Sequence, residues 1–167
     1  MTLAYIGLGS NMGDRVANLA EAIRLVSQSE TLLVTSSLYQ TAPEGYVDQP
    51  DFLNGVACID TGAAAVELLN VLTGIELQMG RERTFDGAPR VIDLDLLLFG
   101  GAVIDQPGLK VPHPRMHLRA FVLVPMVEIA PDFVHPVLHK NMKELLAGLP
   151  PGYRVGKWVV NNGRGSG

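Results

Sequence analysis

Two carboxylates spaced by two, Asp93 and Asp95, stand in an otherwise apolar run from Val91 to Phe99. The segment before it, Gly80 to Arg90, is polar, glycine-bearing and basic, with Arg81, Arg83 and Arg90. An apolar run closed by Gly100-Gly101 predicts a buried strand. On a strand, residues i and i+2 share a face. Asp93 and Asp95 therefore project side by side, and Ile92, Leu94 and Leu96 take the other face. Adjacent carboxylates repel, and burial sharpens the repulsion. Two compensators fit. One is an arginine cluster forming a structural ion-pair network. The other is a hard divalent cation, typically magnesium, which binds through one or two carboxylates and leaves its remaining positions to water and substrate phosphates. Arginine is the natural partner of phosphate oxygens. Metal, arginine and a glycine-bearing loop together are the equipment of phosphoryl transfer.

The elements that must position these residues can be read along the chain. Residues 2–9 read as a first strand ending in glycines. Asp14 can cap the following helix, in which Val16, Leu19, Ala20, Ile23 and Val26 recur at helical spacing. Asn11 and Asp14 could serve as ligand groups, but turn and cap roles suit them better. Thr31 to Tyr39 reads as one strand, and Thr41 to Asp51 as a loop too long for a tight hairpin. Phe52 to Ile59 is a third strand. Ala63 to Gln78 is a helix with Val66, Leu69, Leu72, Ile75 and Met79 toward the core. After the Asp93–Asp95 strand, Gly100 to Lys110 predicts a hairpin turn and short strand, and 111–114 an extended segment. His117 to Ile129 reads as a helix around Pro125, Glu144 to Leu149 as a short helix, and Tyr153 to Val160 as a last strand. Strand-helix-strand-strand-helix-strand is the order of a ferredoxin-like unit, with an antiparallel-rich sheet, an α+β fold.

The 167 residues suit one domain, residues 1–160, with 161–167 a disordered tail. No apolar run approaches the ~20 residues of a bilayer span. The start lacks the basic segment of a signal peptide. The single cysteine, Cys58, sits in an apolar run and reads as a core residue. A cytoplasmic location and a monomer are expected. The net charge of −4 and the local placement of the arginines favour small phosphorylated ligands over nucleic acid or membrane.

The run Asp86-Gly-Ala-Pro-Arg-Val-Ile-Asp-Leu-Asp-Leu-Leu resembles the signature of the 6-hydroxymethyl-7,8-dihydropterin pyrophosphokinases of folate biosynthesis. So do A-Y-I-G-L-G-S-N at the start, D-Q-P-D-F-L-N around Asn54, I-E-L-Q-M-G-R before the loop, and V-P-H-P-R-M-H-L-R-A-F at 111–121. The likeness covers residues 1 to 135, in order. It implies an α/β/α layered molecule that transfers pyrophosphate from ATP to the hydroxymethyl group of a reduced pterin, releasing AMP. It implies that Asp93 and Asp95 hold two magnesium ions against the triphosphate. Arg81 and Arg90 match catalytic arginines, and Glu76, Arg83, Leu96, Lys110, His113 and Arg119 match ATP-site positions. Thr41, Pro43, Gly45, Phe52, Asn54 and Phe121 match the pterin site. There Asn54 reads the polar edge of the ring, and Phe52 and Phe121 sandwich it. Without these motifs, the arginines read as surface charges, Glu76 as a helix-surface residue and the phenylalanines as core. His135 and His139 read as surface residues.

The chain departs from the pattern at Gly87, where a tryptophan is usual, and at Gly108, Pro114 and Thr73. The loop from Arg81 to Pro89 is expected to be mobile when free and to close over bound nucleotide, with Phe85 taking the tryptophan's anchoring part. A rival reading from another class is a ferredoxin-like ligand-binding module without catalysis. A D-x-D glycosyltransferase would need a longer chain.

Overall fold

The computed structural model of the chain describes residues 1–44, 47–81, 85 and 87–159. A central antiparallel sheet is built from β1 (Thr2–Ser10), β2 (Thr31–Thr35), β3 (Tyr39–Thr41), β4 (Phe52–Thr61), β5 (Asp93–Phe99) and β8 (Val155–Lys157), in the order β5-β1-β4-β3-β8 with β2 also on β4. A separate hairpin, β6 (Ile104–Gln106) and β7 (Leu109–Val111), turns at Gly108, whose φ is 81°. That backbone suits glycine.

Helices α1 (Arg15–Ser29) and α2 (Ala65–Gln78) belong with one sheet face, where Ile6, Ile59, Leu94 and Leu96 meet Leu19, Leu25, Leu68 and Leu72. Helices α3 (Ala120–Ile129) and α4 (Met142–Ala147) cover the other, where Tyr5, Val56 and Cys58 meet Leu123, Met126 and Met142. This is the expected α/β/α layering around a ferredoxin-like α+β sheet. A bulge against Tyr5 and Ile6 leaves Leu97 as an extra residue in β5. As a result Leu97 and Leu98 both join the α3 side. Among the described residues no helix is long and apolar enough to cross a membrane.

Several boundaries differ from the sequence reading. The strand expected over Thr31 to Tyr39 is two strands. At the break Ser36 enters the hydrogen bonding itself: its Oγ accepts from Val56 N at 2.9 Å, and its N–H donates to Val56 O at 2.8 Å. On α1 the core face is Leu19, Ala22, Leu25 and Val26, and Val16 and Ala20 are exposed. Leu25 pulls the buried stripe away from them. Likewise α2 buries Ala65, Leu68, Leu72 and Ile75 and exposes Val66, with Leu69 and Met79 only partly buried. The helix expected over His117 to Ile129 is a 3-10 turn, Met116–Leu118, then α3, separated at Arg119. Asn141 caps α4, which begins before Glu144, and the last strand is confined to 155–157. Cys58 is a buried core residue.

Candidate active site

The register of the sheet sets the site. Tyr39 on β3, Asn54 on β4, Gly9 on β1 and Asp93 on β5 stand in one row across four strands. Two strand spacings, roughly 10 Å, separate Asn54 from Asp93. Gly9 between them has no side chain. A Cβ there would come within 2.7 Å of Asn54 Oδ1 and 3.5 Å of the Phe52 ring. Gly7, one step along the same face, lies opposite Asp95. Glycine is unfavourable inside a strand unless something must come close. The G-x-G spacing at positions 7 and 9 is the signal that sequence reasoning passed over.

Arg81 is delivered by the end of α2. Gly80 takes φ 87°, its N–H donates to Leu77 O, and Arg81 N donates to Glu76 O. This is a Schellman stop. It folds Arg81 back so that Nη1 bonds Glu76 Oε2 and lies 3.0 Å from Asp93 Oδ1. Glu76 Oε2 also accepts Leu94 N at 2.9 Å, tying α2 to the start of β5. Arg90 Nη1 reaches Asp93 Oδ2 at 2.9 Å. Asp93 is thus clamped by two guanidinium groups. Among the described residues, the cation that pairs with Asp95 is Arg119, whose Nη1 stands 4.0 Å away.

The charges follow from this inequality. Burial, then Asp93 and Glu76, push the Asp95 carboxyl up to about 7, with Arg119 and Arg90 opposing. Burial also raises Glu76, against the bond from Leu94 N and the charge of Arg81. Among the described residues, the strand face therefore holds more partly buried negative charge than the arginines relieve.

A cavity of about 430 Å³ gathers Thr41, Phe52, Asn54, Arg90, Asp93, Asp95, His113, Arg119 and Phe121. A second, of about 330 Å³, is lined by Leu96 and Lys110. Asp95 and His113 line both, so the two cavities adjoin across them. Asn54 Nδ2 donates to Thr41 Oγ1 at 2.6 Å, which fixes its amide. His113 is held to β5 by its N–H on Leu97 O at 2.8 Å, and its Nδ1 accepts Arg115 N at 3.1 Å. A neutral ring in that setting carries its proton on Nε2. Burial, helped by Arg119 and Arg115, lowers its pKa to about 4, so it is neutral at physiological pH. Arg119 lies 5.3 Å over the Phe121 ring, a cation–π contact. Its Nε is buried, makes no hydrogen bond among the described residues, and has Glu44 Oε2 at 3.5 Å.

Of the residues expected at the site, Arg81 and Glu76 stand behind Asp93 and do not line the larger cavity. Pro43 is flanked by the lining residues Ala42 and Glu44 without lining it. Gly45, Arg83 and most of the loop 82–86 lie outside the described residues, as does the 161–167 tail. Phe85 is 57% exposed. Glu44, Arg115 and Asn11 belong to the site's surroundings and were missed or misread. Asn11, read as a turn residue, lies between β1 and α1 and is buried against Arg90. His135, expected at the surface, is buried because its Nδ1 accepts the backbone N–H groups of Val137 and Leu138. His139 is exposed as expected.

Comparison with known proteins adds to this geometry. The model of a family described as 7,8-dihydro-6-hydroxymethylpterin-pyrophosphokinase (HPPK) matches residues 5–131. The chain is 45% identical over 148 residues to the 2-amino-4-hydroxy-6-hydroxymethyldihydropteridine pyrophosphokinase of Pseudomonas aeruginosa, covering 87% of this chain and 91% of that one. It is 46% identical over 138 residues to the enzyme of the same name from Haemophilus influenzae, covering 81% and 86%. Against the folic acid synthesis protein fol1 of Schizosaccharomyces pombe it is 40% identical over 150 residues, 89% of this chain but 20% of that one. Among solved structures, Plasmodium falciparum HPPK-DHPS wild type aligns with a TM-score of 0.71 over 87% of this chain and 44% of that one, at 16% identity. That likeness supports the fold.

Proposed function

Since this chain belongs to the 7,8-dihydro-6-hydroxymethylpterin-pyrophosphokinase family, we propose that its larger cavity receives the pterin and the reacting phosphates, and its smaller one the adenine. The chain is an ATP-dependent pyrophosphokinase of folate biosynthesis. It moves pyrophosphate from ATP to the hydroxymethyl group of the dihydropterin, and AMP is what remains. The alternative of a non-catalytic binding module finds no support among its relatives.

The observation that carries the site assignment is the row across the sheet. It sets Asn54, a donor-acceptor amide suited to a pterin edge, two strands from Asp93, with glycine between. Phe52 and Phe121 line the same cavity and supply aromatic faces for a flat ring. Thr41 holds the Asn54 amide in register. Leu96 and Lys110 border the smaller cavity, which supports their adenine-side reading.

The donor set fits magnesium. Among the described residues no three His, Cys, Asp or Glu side chains converge as a metal cage. Magnesium needs no such cage, since one or two carboxylates plus substrate phosphates and water suffice. Asp93 and Asp95 would hold it, and the raised Asp95 carboxyl marks a site short of positive charge. When bound it would neutralise the triphosphate and polarise the reacting phosphate. The count of two ions rests on the family resemblance.

The chain's own groups supply alignment and charge. Arg81 and Arg90 pair with Asp93, and their forks are suited to the phosphate oxygens of the triphosphate. The Nε of Arg119, which makes no hydrogen bond among the described residues, and the Nε2–H of His113 are donors for the same oxygens. Such fixed donors in a partly dry site are worth more than in water. The test is incubation with ATP, magnesium and the hydroxymethyl dihydropterin, with nucleotide products resolved by chromatography. AMP should appear one for one with pterin consumed, and Asn54→Ala should weaken pterin binding alone. ADP in step with pterin consumption, or an equal loss of both ligands in Asn54→Ala, would overturn the reading.

A further inference from the structure

Asn11 follows β1 and is 2% exposed. Its backbone N–H donates to Arg90 O at 3.0 Å, and its Oδ1 accepts from Arg90 N at 2.7 Å. Its Nδ2 donates to Gln49 Oε1 at 2.8 Å and to Pro50 O at 3.1 Å. Gln49 Nε2 in turn donates to Gly87 O at 2.7 Å. These bonds close a circuit. One arm is the segment 49–50, which runs directly into Phe52 and Asn54. The other is 87–90, which carries Arg90 toward Asp93. A buried amide can serve both arms at once because it offers two donors and an acceptor.

We propose that Asn11 is a positioning residue for pyrophosphoryl transfer: it locks the pterin-side segment 49–52 to the phosphate-side segment 87–90, so that the two substrates are aligned in one frame. The proposal rests on the site assignment above. Asn11 itself does not line the larger cavity. Its effect is on where Arg90 stands relative to Asn54, and a misplacement of about 1 Å can cost a hundredfold in rate. The fold near Asn11 has other supports. Asn18 Nδ2 donates to Met12 O at 2.7 Å, and Arg15 Nη1 donates to Asp51 O at 2.9 Å.

The discriminating variant is Asn11→Asp. It keeps an oxygen for Arg90 N but sets a carboxylate oxygen against Gln49 Oε1 and Pro50 O. If the Gln49 amide flips to recover one bond, its oxygen then faces Gly87 O. A residue that merely anchored Arg90 would tolerate this change; a residue that joins the two arms would not. AMP release should be followed under saturating ATP, magnesium and pterin for Asn11→Asp, Asn11→Ala, Gln49→Ala and the double variant Asn11→Ala/Gln49→Ala, with thermal unfolding of each. We expect kcat of Asn11→Asp to fall between about tenfold and a hundredfold, with a folded protein and ATP-analogue affinity near that of the parent. The double variant should be no slower than Asn11→Ala alone, since both changes cut one circuit. Full kcat in Asn11→Asp, or losses that simply add in the double variant, would overturn the proposal. Should the Asn11 variants fail to fold, Gln49→Ala decides: reduced kcat sustains the proposal and unchanged kcat ends it. Failure of the site assignment shows elsewhere, as unaltered pterin binding in Asn54→Ala.

Discussion

Two carboxylate settings in this molecule were solved in opposite ways. On α3, Glu128 accepts the N–H of Ser37 at 2.8 Å, the Ser37 hydroxyl at 3.1 Å and the Tyr39 hydroxyl. Burial alone would raise its pKa, but these bonds, with a smaller contribution from the charge of Lys157, outweigh it and the carboxyl is held below its ordinary range. At the other setting, Asp93, Asp95 and Glu76 crowd together with arginines that favour Asp93, and the Asp95 carboxyl rises. Glu128 is satisfied mainly by neutral donors of its own chain, with the Lys157 charge a lesser help. The Asp95 group is left short of positive charge that a ligand must bring. The contrast separates a carboxylate that fastens the fold from carboxylates that wait for chemistry.

The sharpest way to break that contrast is to remove the charge at each setting. Asp95→Asn or Asp93→Asn should lower turnover by more than about a hundredfold, because a ligand charge for the metal and its phosphates is gone. Stability of the ligand-free protein should hold or rise in Asp95→Asn, where the carboxylate is poorly compensated, and fall in Asp93→Asn, which leaves the Arg81 and Arg90 guanidinium groups without their shared partner. Thermal unfolding beside AMP release measures both. Near-full turnover with an ordinary magnesium dependence would erase the distinction between the two settings.

A step smaller is the pterin side of the same site. Asn54→Ala leaves a polar ligand edge unpaired and should cost roughly 1–3 kcal/mol of pterin affinity. Calorimetry with the pterin, and separately with a non-hydrolysable ATP analogue, should show the loss in the first titration only.

How much of this could be read from the sequence depended on whether period carried the signal. Ile92, Leu94 and Leu96 alternate with Asp93 and Asp95 in a strand, and the structure keeps that division between faces. The helix-and-strand order sufficed for the ferredoxin-like core. Where a side chain stood in for backbone, pattern gave no warning. Ser36 interrupts an apolar run by bonding Val56, so one expected strand became β2 and β3. His135 is buried by two loop N–H groups and Asn11 by its bonds to Arg90, and neither sits in a periodic element. The site residues came from motif resemblance. The alternating glycines of β1 could have added Gly9, whose meaning lies in the neighbour it spares.

Gly9 gives the next prediction. A methyl group there meets Asn54 Oδ1 at 2.7 Å, closer than real Cβ atoms come, so the amide must shift. Gly9→Ala should therefore weaken pterin binding, by about 1 kcal/mol or more if the Thr41 bond is lost as well. Its ATP-analogue affinity should stay near that of the parent. An Ala variant that binds pterin normally would show that the Asn54 amide has slack.

The smallest effect belongs to Glu128. This carboxylate is exposed, so water discounts each of its bonds, and Glu128→Gln should cost about 1 kcal/mol of stability or less. Turnover should be unaffected, because Glu128 does not line either cavity. The pH dependence carries a sign. The carboxyl is lowered in the folded state relative to its ordinary 4.5. The unfolded chain therefore binds the proton first as pH falls, and the stabilisation is fully present above about pH 4.5 and lost as pH drops through the folded value. Denaturation of parent and Glu128→Gln should thus differ at pH 7 and converge as pH falls through the folded value. Parallel curves across that range would mean that Ser37 and Tyr39 hold the carboxylate no better than water does, and the two settings would then differ only in what the active site lacks.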